Sequence, residues 1–155
     1  MTVVMLIVHG LLAVTLLGAI THQAWSVARR PRPREGPESF ISRFGSVSSA
    51  SYTNPIILLF VATAVMGALL SPAYRVEARV FMEDMFMPRP VGAFEVKEHL
   101  VAIGLGLLPS YWFFWRKPLL PEYASVRKYL TWLLAFLVWW SFLVGHVLNN
   151  IRGIS

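Results

Sequence analysis

His9, His99 and His146 are three of the four histidines in this chain, and together they carry the most specific chemistry available to it. A neutral imidazole is the commonest protein ligand for a metal, and two imidazoles from different helices can fill both axial positions of a porphyrin iron. Glu95 and His99 are four residues apart, so on a helix a carboxylate and an imidazole share one face and can bind a metal together. The repeated Glu-x-x-His pair of a di-iron bundle is absent. The chain has no cysteine, which excludes disulfides, thiolate metal sites, iron–sulfur clusters and covalently attached c-type haem. Met82, Met85 and Met87 form a thioether group suited to Cu(I), although methionine is equally a flexible apolar filler.

The elements that must position these residues are set by hydropathy. Of 155 residues, 56% are hydrophobic and 14% charged, and the mean hydropathy is +0.58, values of a membrane protein and not of a soluble domain. Four apolar stretches, 3–21, 55–71, 99–115 and 129–148, each approach the about 17–25 residues needed to cross a bilayer as a helix. Lipid offers the backbone no hydrogen-bond partners, so an all-α, integral membrane four-helix bundle forming one domain is expected. The first stretch has no basic residue before it and no small-x-small cleavage site after Ile20, which reads as a retained helix and not as a signal peptide.

Charge sets the orientation. The 22–54 linker carries Arg29, Arg30, Arg32, Arg34 and Arg43, and the loop after the third span carries Arg116, Lys117, Arg127 and Lys128. Against these nine positives stand Glu35, Glu38 and Glu122. On the other side Arg75, Arg79, Arg89, Lys97 and Arg152 meet five acids, Glu77, Glu83, Asp84, Glu95 and Glu98. The asymmetry places both connecting loops in the cytoplasm and both termini on the periplasmic side of a bacterial-type inner membrane. The net charge of +6 then reflects topology and anionic lipid, and no nucleic-acid role is assigned to it.

The stretch RRPRPREGPE reads as an extended linker, and SFISRFGSVSSASYTN as a polar segment along the membrane surface. Asn54 and Pro55 suit the cap and first position of the second helix. Span two has no ionisable residue, and Thr63, Ala64, Gly67 and Ala68 give small-xxx-small spacing for close packing. In the outer loop 72–96, RVEARVFMEDMFM gathers Val76, Val80, Phe81, Met85 and Phe86 near one side of a short interfacial helix, which Pro88 and Pro90 should end. Acids in the turn before His99 suit a helix start.

These elements bring the histidines to one level. His9 lies about 9 Å into the first span at about 1.5 Å per residue, His99 opens span three, and His146 lies near the outer end of span four. His22, beside Trp25, is about 20 Å farther along the first helix and belongs to the cytoplasmic side. Trp132, Trp139 and His146 recur every seven residues on one stripe of span four, with Gly145 adjacent. Glu95, His99, Ala102 and Gly106 share one side of span three, where small residues leave room for a flat ligand or a close helix. Arg75, Arg79 and Arg152 sit at the same face and can hold haem propionates or pair with the loop's acids. The plainer alternative is that each histidine bonds a carbonyl or water, the small residues pack against helices, and the tryptophans belong to the headgroup belt. Asn149 and Asn150 in GHVLNNIRGIS can cap the last carbonyls, or bond a quinone or partner protein.

Four spans with histidines on separate helices resemble, in architecture, the small four-helix cytochrome b membrane subunits. That resemblance implies a membrane-embedded electron-transfer subunit holding haem b and working with quinone and periplasmic or membrane redox partners. The two-haem pattern of stacked histidine pairs at both faces is not met, so one bis-histidine haem near the outer face is expected, with His99 and His146 as ligands and His9 as the alternative. The competing expectations are a non-catalytic accessory or assembly subunit of a larger membrane complex and a copper-handling membrane protein. No serine, cysteine or lysine nucleophile with a paired base and no phosphate loop points to an independent enzyme.

Overall fold

The computed structural model describes residues 2–28, 49–116 and 118–153, with side chains for 3–28, 49–116 and 118–150. These residues are helical with short connections, and no strand occurs among them. Four long helices run α1 (Thr2–Ala28), α2 (Thr53–Ala73), α4 (Pro88–Trp115) and α5 (Ala124–Gly153), with the short α3 (Val80–Asp84) before α4. Three helical segments, Val3–Ala28, Ser49–Asp84 and Pro121–Asn150, are long and apolar enough to cross a membrane. The expected third span, α4, is of similar length, but Glu95, Lys97, Glu98 and His99 in its first half and Pro109 and Ser110 farther on dilute its apolar character.

Helix α1 packs against both α2 and α5, α5 packs against α4, and α2 meets α4 along a shorter seam. The core follows helical spacing: Leu16, Ile20 and Ala24 on α1; Ile56 and Phe60 on α2; Leu108, Tyr111 and Trp115 on α4; Leu134, Ala135, Leu137 and Val138 on α5. Residues three or four apart stack on one helix face, and that periodicity turns four apolar rods into one packed interior. Gly104 is what lets α2 and α4 touch. A Cβ there would run into Cζ of Phe60, closer than atoms can stand.

The outer connection differs from the expected separate interfacial helix. Residues Tyr74–Arg79 continue α2 as a π-helical segment, and α3 follows without a break. Pro72 lies inside α2 two residues earlier. A proline without an N–H disrupts the α-helical ladder, and a shift to wider i→i+5 bonding is one way the chain recovers. The N–H of Phe86 donates to the Glu83 carbonyl at 3.0 Å and that of Met87 to the Met82 carbonyl at 2.8 Å. With Phe86 at φ 54°, this is a Schellman stop, in which a left-handed residue ends the helix. Its expected apolar contact is present, since Met87 packs beside the buried Met82. Pro88 and Pro90 therefore open α4 instead of ending the preceding helix.

Two further boundaries shift. Residues 22–28 belong to α1 and not to the linker, and α2 begins at Thr53, after a 3₁₀ turn over Ser49–Tyr52. The arginine-rich stretch 29–38 and residues 39–48 lie outside the described residues.

Candidate functional site at the histidine end

The start of α1, the end of α2 with α3, the start of α4 and the end of α5 meet at one end of the bundle. A second apolar cluster closes it: Met82, Val91 and Leu148 are buried, and Tyr74, Ala78, Met87, Phe94 and Val144 pack around them. All three expected histidines lie on elements of this end, but their side chains go different ways.

His99 is exposed on α4. Its Nδ1 lies 2.7 Å from the Glu95 carbonyl oxygen; a carbonyl can only accept, so Nδ1 donates the hydrogen bond. His146 is exposed on α5, its ring parallel to that of Phe142 at 6.3 Å between centroids. The Asn150 amide nitrogen stands 3.2 Å from its Nε2 and donates to it. His9 turns inward and is half-buried. A Cβ placed on Gly67 of α2 would come 3.4 Å from its Cε1, and its Nδ1 is buried with no hydrogen-bond partner among the described residues.

Among the described residues, no group of three His, Asp or Glu side chains is placed to hold a metal ion. The expected three-histidine set thus shares an end of the bundle without forming one ligand sphere. The two stripes also face outward. Glu95, His99, Ala102 and Gly106 are all exposed on α4, and Trp132, Trp139 and His146 on α5. Between α4 and α5 at this level Val91, Phe94, Val144 and Leu148 already fill the interior, so a porphyrin held by His99 and His146 would lie against the outside of the two helices.

The arginines are engaged with the loop's acids. Arg75 Nη2 stands 3.6 Å from Glu98 Oε2, Arg79 Nε 2.7 Å from Glu83 Oε1 and Arg79 Nη1 3.4 Å from Glu95 Oε1. Ser71 Oγ donates to Glu98 Oε1 at 3.0 Å. Arg75, Arg79, Glu95, Glu98 and His99 rim a cavity of about 190 Å³ between the π-helical segment and α4, whose apolar wall is Tyr74, Val91 and Phe94. The Arg152 backbone lies in α5, and its side chain is outside the described residues. The three methionines do not form one group: Met82, 2% exposed, and Met87 pack in the apolar cluster, whereas Met85 is 59% exposed at the turn.

Sequence reasoning passed over two groups. One is Lys97, read as a surface charge of the outer loop, which instead extends along the bundle. Its Nζ lies 4.8 Å from the centre of the Phe94 ring and 3.9 Å from where a Cβ of Gly145 would stand. The other is a polar knot at the opposite end. Gln23 is fully buried and donates through Nε2 to the Ser49 carbonyl at 2.9 Å and to Thr53 Oγ1 at 3.5 Å. Its Oε1 accepts from the Tyr111 hydroxyl. His22 stacks on Tyr52 beside it, with ring centres 4.7 Å apart. The polar run Thr21-His22-Gln23 toward the end of an otherwise apolar helix was the available signal.

No protein-family model matches the chain, and neither a curated protein nor a solved structure matches it.

Proposed function

We propose that the protein is a non-catalytic subunit of a larger membrane assembly, inserted in a bacterial inner membrane with its histidine end on the periplasmic side. The observation that carries this reading is the outward placement of Glu95, His99, Ala102 and Gly106 on α4. Ionisable and small side chains on membrane helices are usually turned toward protein, where a partner satisfies the first and the second allow close approach. Here the chain itself leaves them uncovered, and a helix of another subunit is the cover that fits. The basic loops supply the orientation. Since the chain has no cysteine, single cysteines report it directly. Phe86→Cys should react with a membrane-impermeant maleimide in intact spheroplasts, and Glu122→Cys only after permeabilisation; the reverse pattern overturns the orientation.

A second reading, electron transfer through one b-type haem with quinone and a periplasmic partner, is favoured by the hydrogen bond that His99 Nδ1 donates to its own helix. Metal-ligating histidines commonly donate their other ring nitrogen to a backbone carbonyl, as His99 does to Glu95. In this reading His99 and His146 would be the axial ligands, with His9 the alternative, and the haem would supply one-electron chemistry. Arg75, Arg79 and Arg152 would meet its propionates, the first two by leaving their present carboxylates. A Soret and an α band in the dithionite-reduced protein, with haem found as pyridine hemochrome, is the expected result; a featureless spectrum ends the reading. Elemental analysis of the same sample separates iron from copper, which Met85 and the histidines would have to hold without Met82 and Met87, both packed in the apolar cluster.

A further inference from the structure

The cavity between the π-helical segment and α4 carries both signs of charge on one rim. Arg75 and Arg79 come from the segment, and Glu95 and Glu98 from α4. A π-helix bonds residues five apart, so one wide turn sets Tyr74 and Arg75 over Arg79 on the side that lines the cavity. At about 190 Å³ the space is smaller than the about 300–1,000 Å³ of a drug-sized site, which suits a compact polar group.

The rim has hydrogen-bonding capacity to spare. Arg79 Nε to Glu83 Oε1, at 2.7 Å, has the length of a charge-assisted hydrogen bond. The two pairs that reach across to α4 are longer, 3.6 Å for Arg75 to Glu98 and 3.4 Å for Arg79 to Glu95, so both guanidiniums keep donors that these carboxylates do not use. The Tyr74 hydroxyl, close enough to Arg79 and Glu98 to interact electrostatically, is buried with no hydrogen-bond partner among the described residues. A lone anion here would face two carboxylates, and a lone cation two guanidiniums. A ligand with one charge of each sign gives every group on the rim a partner. Its depth agrees, because the apolar run 55–71 ends just before Tyr74, which puts the site at headgroup level in a membrane-inserted chain.

We propose that this cavity binds a small zwitterion joining a phosphate to a primary ammonium, the headgroup chemistry of phosphatidylethanolamine. The phosphate accepts from Arg75, Arg79 and the Tyr74 hydroxyl, and the ammonium donates to Glu95 and Glu98. This goes beyond membership of an assembly and requires no haem. The test is native mass spectrometry of the delipidated full chain in nonionic detergent, offered equal amounts of phosphatidylethanolamine, phosphatidylglycerol and phosphatidylcholine with the same acyl chains. The wild type should retain the first roughly tenfold over the other two, the factor carried by one charge-assisted hydrogen bond that glycerol and choline cannot make. Glu98→Gln keeps an acceptor for Ser71 but removes a partner of the ammonium, and should move the preference to phosphatidylglycerol. Arg75→Gln should weaken retention of both lipids. These side chains are partly exposed, and melting without lipid checks that each variant folds. A free ligand is distinguished from a lipid by soluble phosphoethanolamine: if no lipid is preferred, a saturable rise in wild-type melting temperature, absent with phosphate or ethanolamine alone and lost in Glu98→Gln, assigns the cavity to a free zwitterion. A wild-type preference for phosphatidylglycerol or phosphatidylcholine, a preference for phosphatidylethanolamine that both variants leave unchanged, or the absence of both a lipid preference and a phosphoethanolamine shift overturns the proposal.

Discussion

At the scale of single residues, the fold depends on a few places where one atom decides. Gly104 faces the tip of the Phe60 ring, and an added methyl group has no room. Overpacking of this kind costs about 1–3 kcal/mol, so Gly104→Ala should lower the unfolding temperature, and Phe60→Leu in the same chain should recover much of the loss. If Gly104→Ala melts like the wild type, the α2–α4 seam is not as close as described. Gln23 sets a second test. Tyr111→Phe leaves its buried Oε1 without the donor it now has, a loss of about 1–3 kcal/mol for an unsatisfied buried polar group, readable by denaturant unfolding in detergent. Neither dependence was visible in the sequence. A glycine's need for space and a glutamine's partners are set by residues 44 and 88 positions away. The placing of His9, His99 and His146 toward one end of the bundle was legible from hydropathy, whereas His99, expected at the start of a span, lies well inside α4, which opens at Pro88. The direction each ring takes was not legible, since exposure depends on which helices become neighbours.

At the scale of elements, hydropathy located the four long helices, while their ends depended on local stereochemistry. Prolines 88 and 90 suggested a helix stop, but the chain stops one turn earlier with Phe86 in the left-handed region and uses Pro88 as a first-turn residue. A phenylalanine gives no sequence signal for that role, which glycine ordinarily fills. Left-handed backbone costs a residue with a Cβ about 1–2 kcal/mol, partly offset by glycine's greater loss of freedom on folding, about 0.5–1 kcal/mol. Phe86→Gly should therefore be neutral to stabilising in detergent, despite the loss of a large side chain that is 91% exposed; a drop in stability would show that Phe86 packs against something outside this chain. The expected separate interfacial helix was likewise half-legible. Its residues are helical, but nothing in their period announced that they would continue α2 through a π-helical segment after Pro72.

For the molecule as a whole, composition was enough to expect helices, and the described residues are helical with three helices long and apolar enough to cross a membrane; the arginine bias supplies the orientation that the proposed function takes. What composition could not supply was the division between inside and outside faces. The interior is closed by Leu16, Ile20, Phe60, Tyr111, Trp115 and Leu134, and the residues singled out for chemistry on α4 and α5 are left on the exterior. That placement is the basis for proposing that the chain belongs to a larger assembly, and it is tested most directly by a photo-crosslinking scan in native membranes. A benzophenone amino acid at position 102 or 106 of α4 should give a discrete crosslinked product, whose mass identifies a second copy or another subunit, while the same probe at position 58 of α2, exposed and flanked by apolar residues, should give none. Crosslinking that is absent at 102 and 106, or equal at all three positions, would contradict the account.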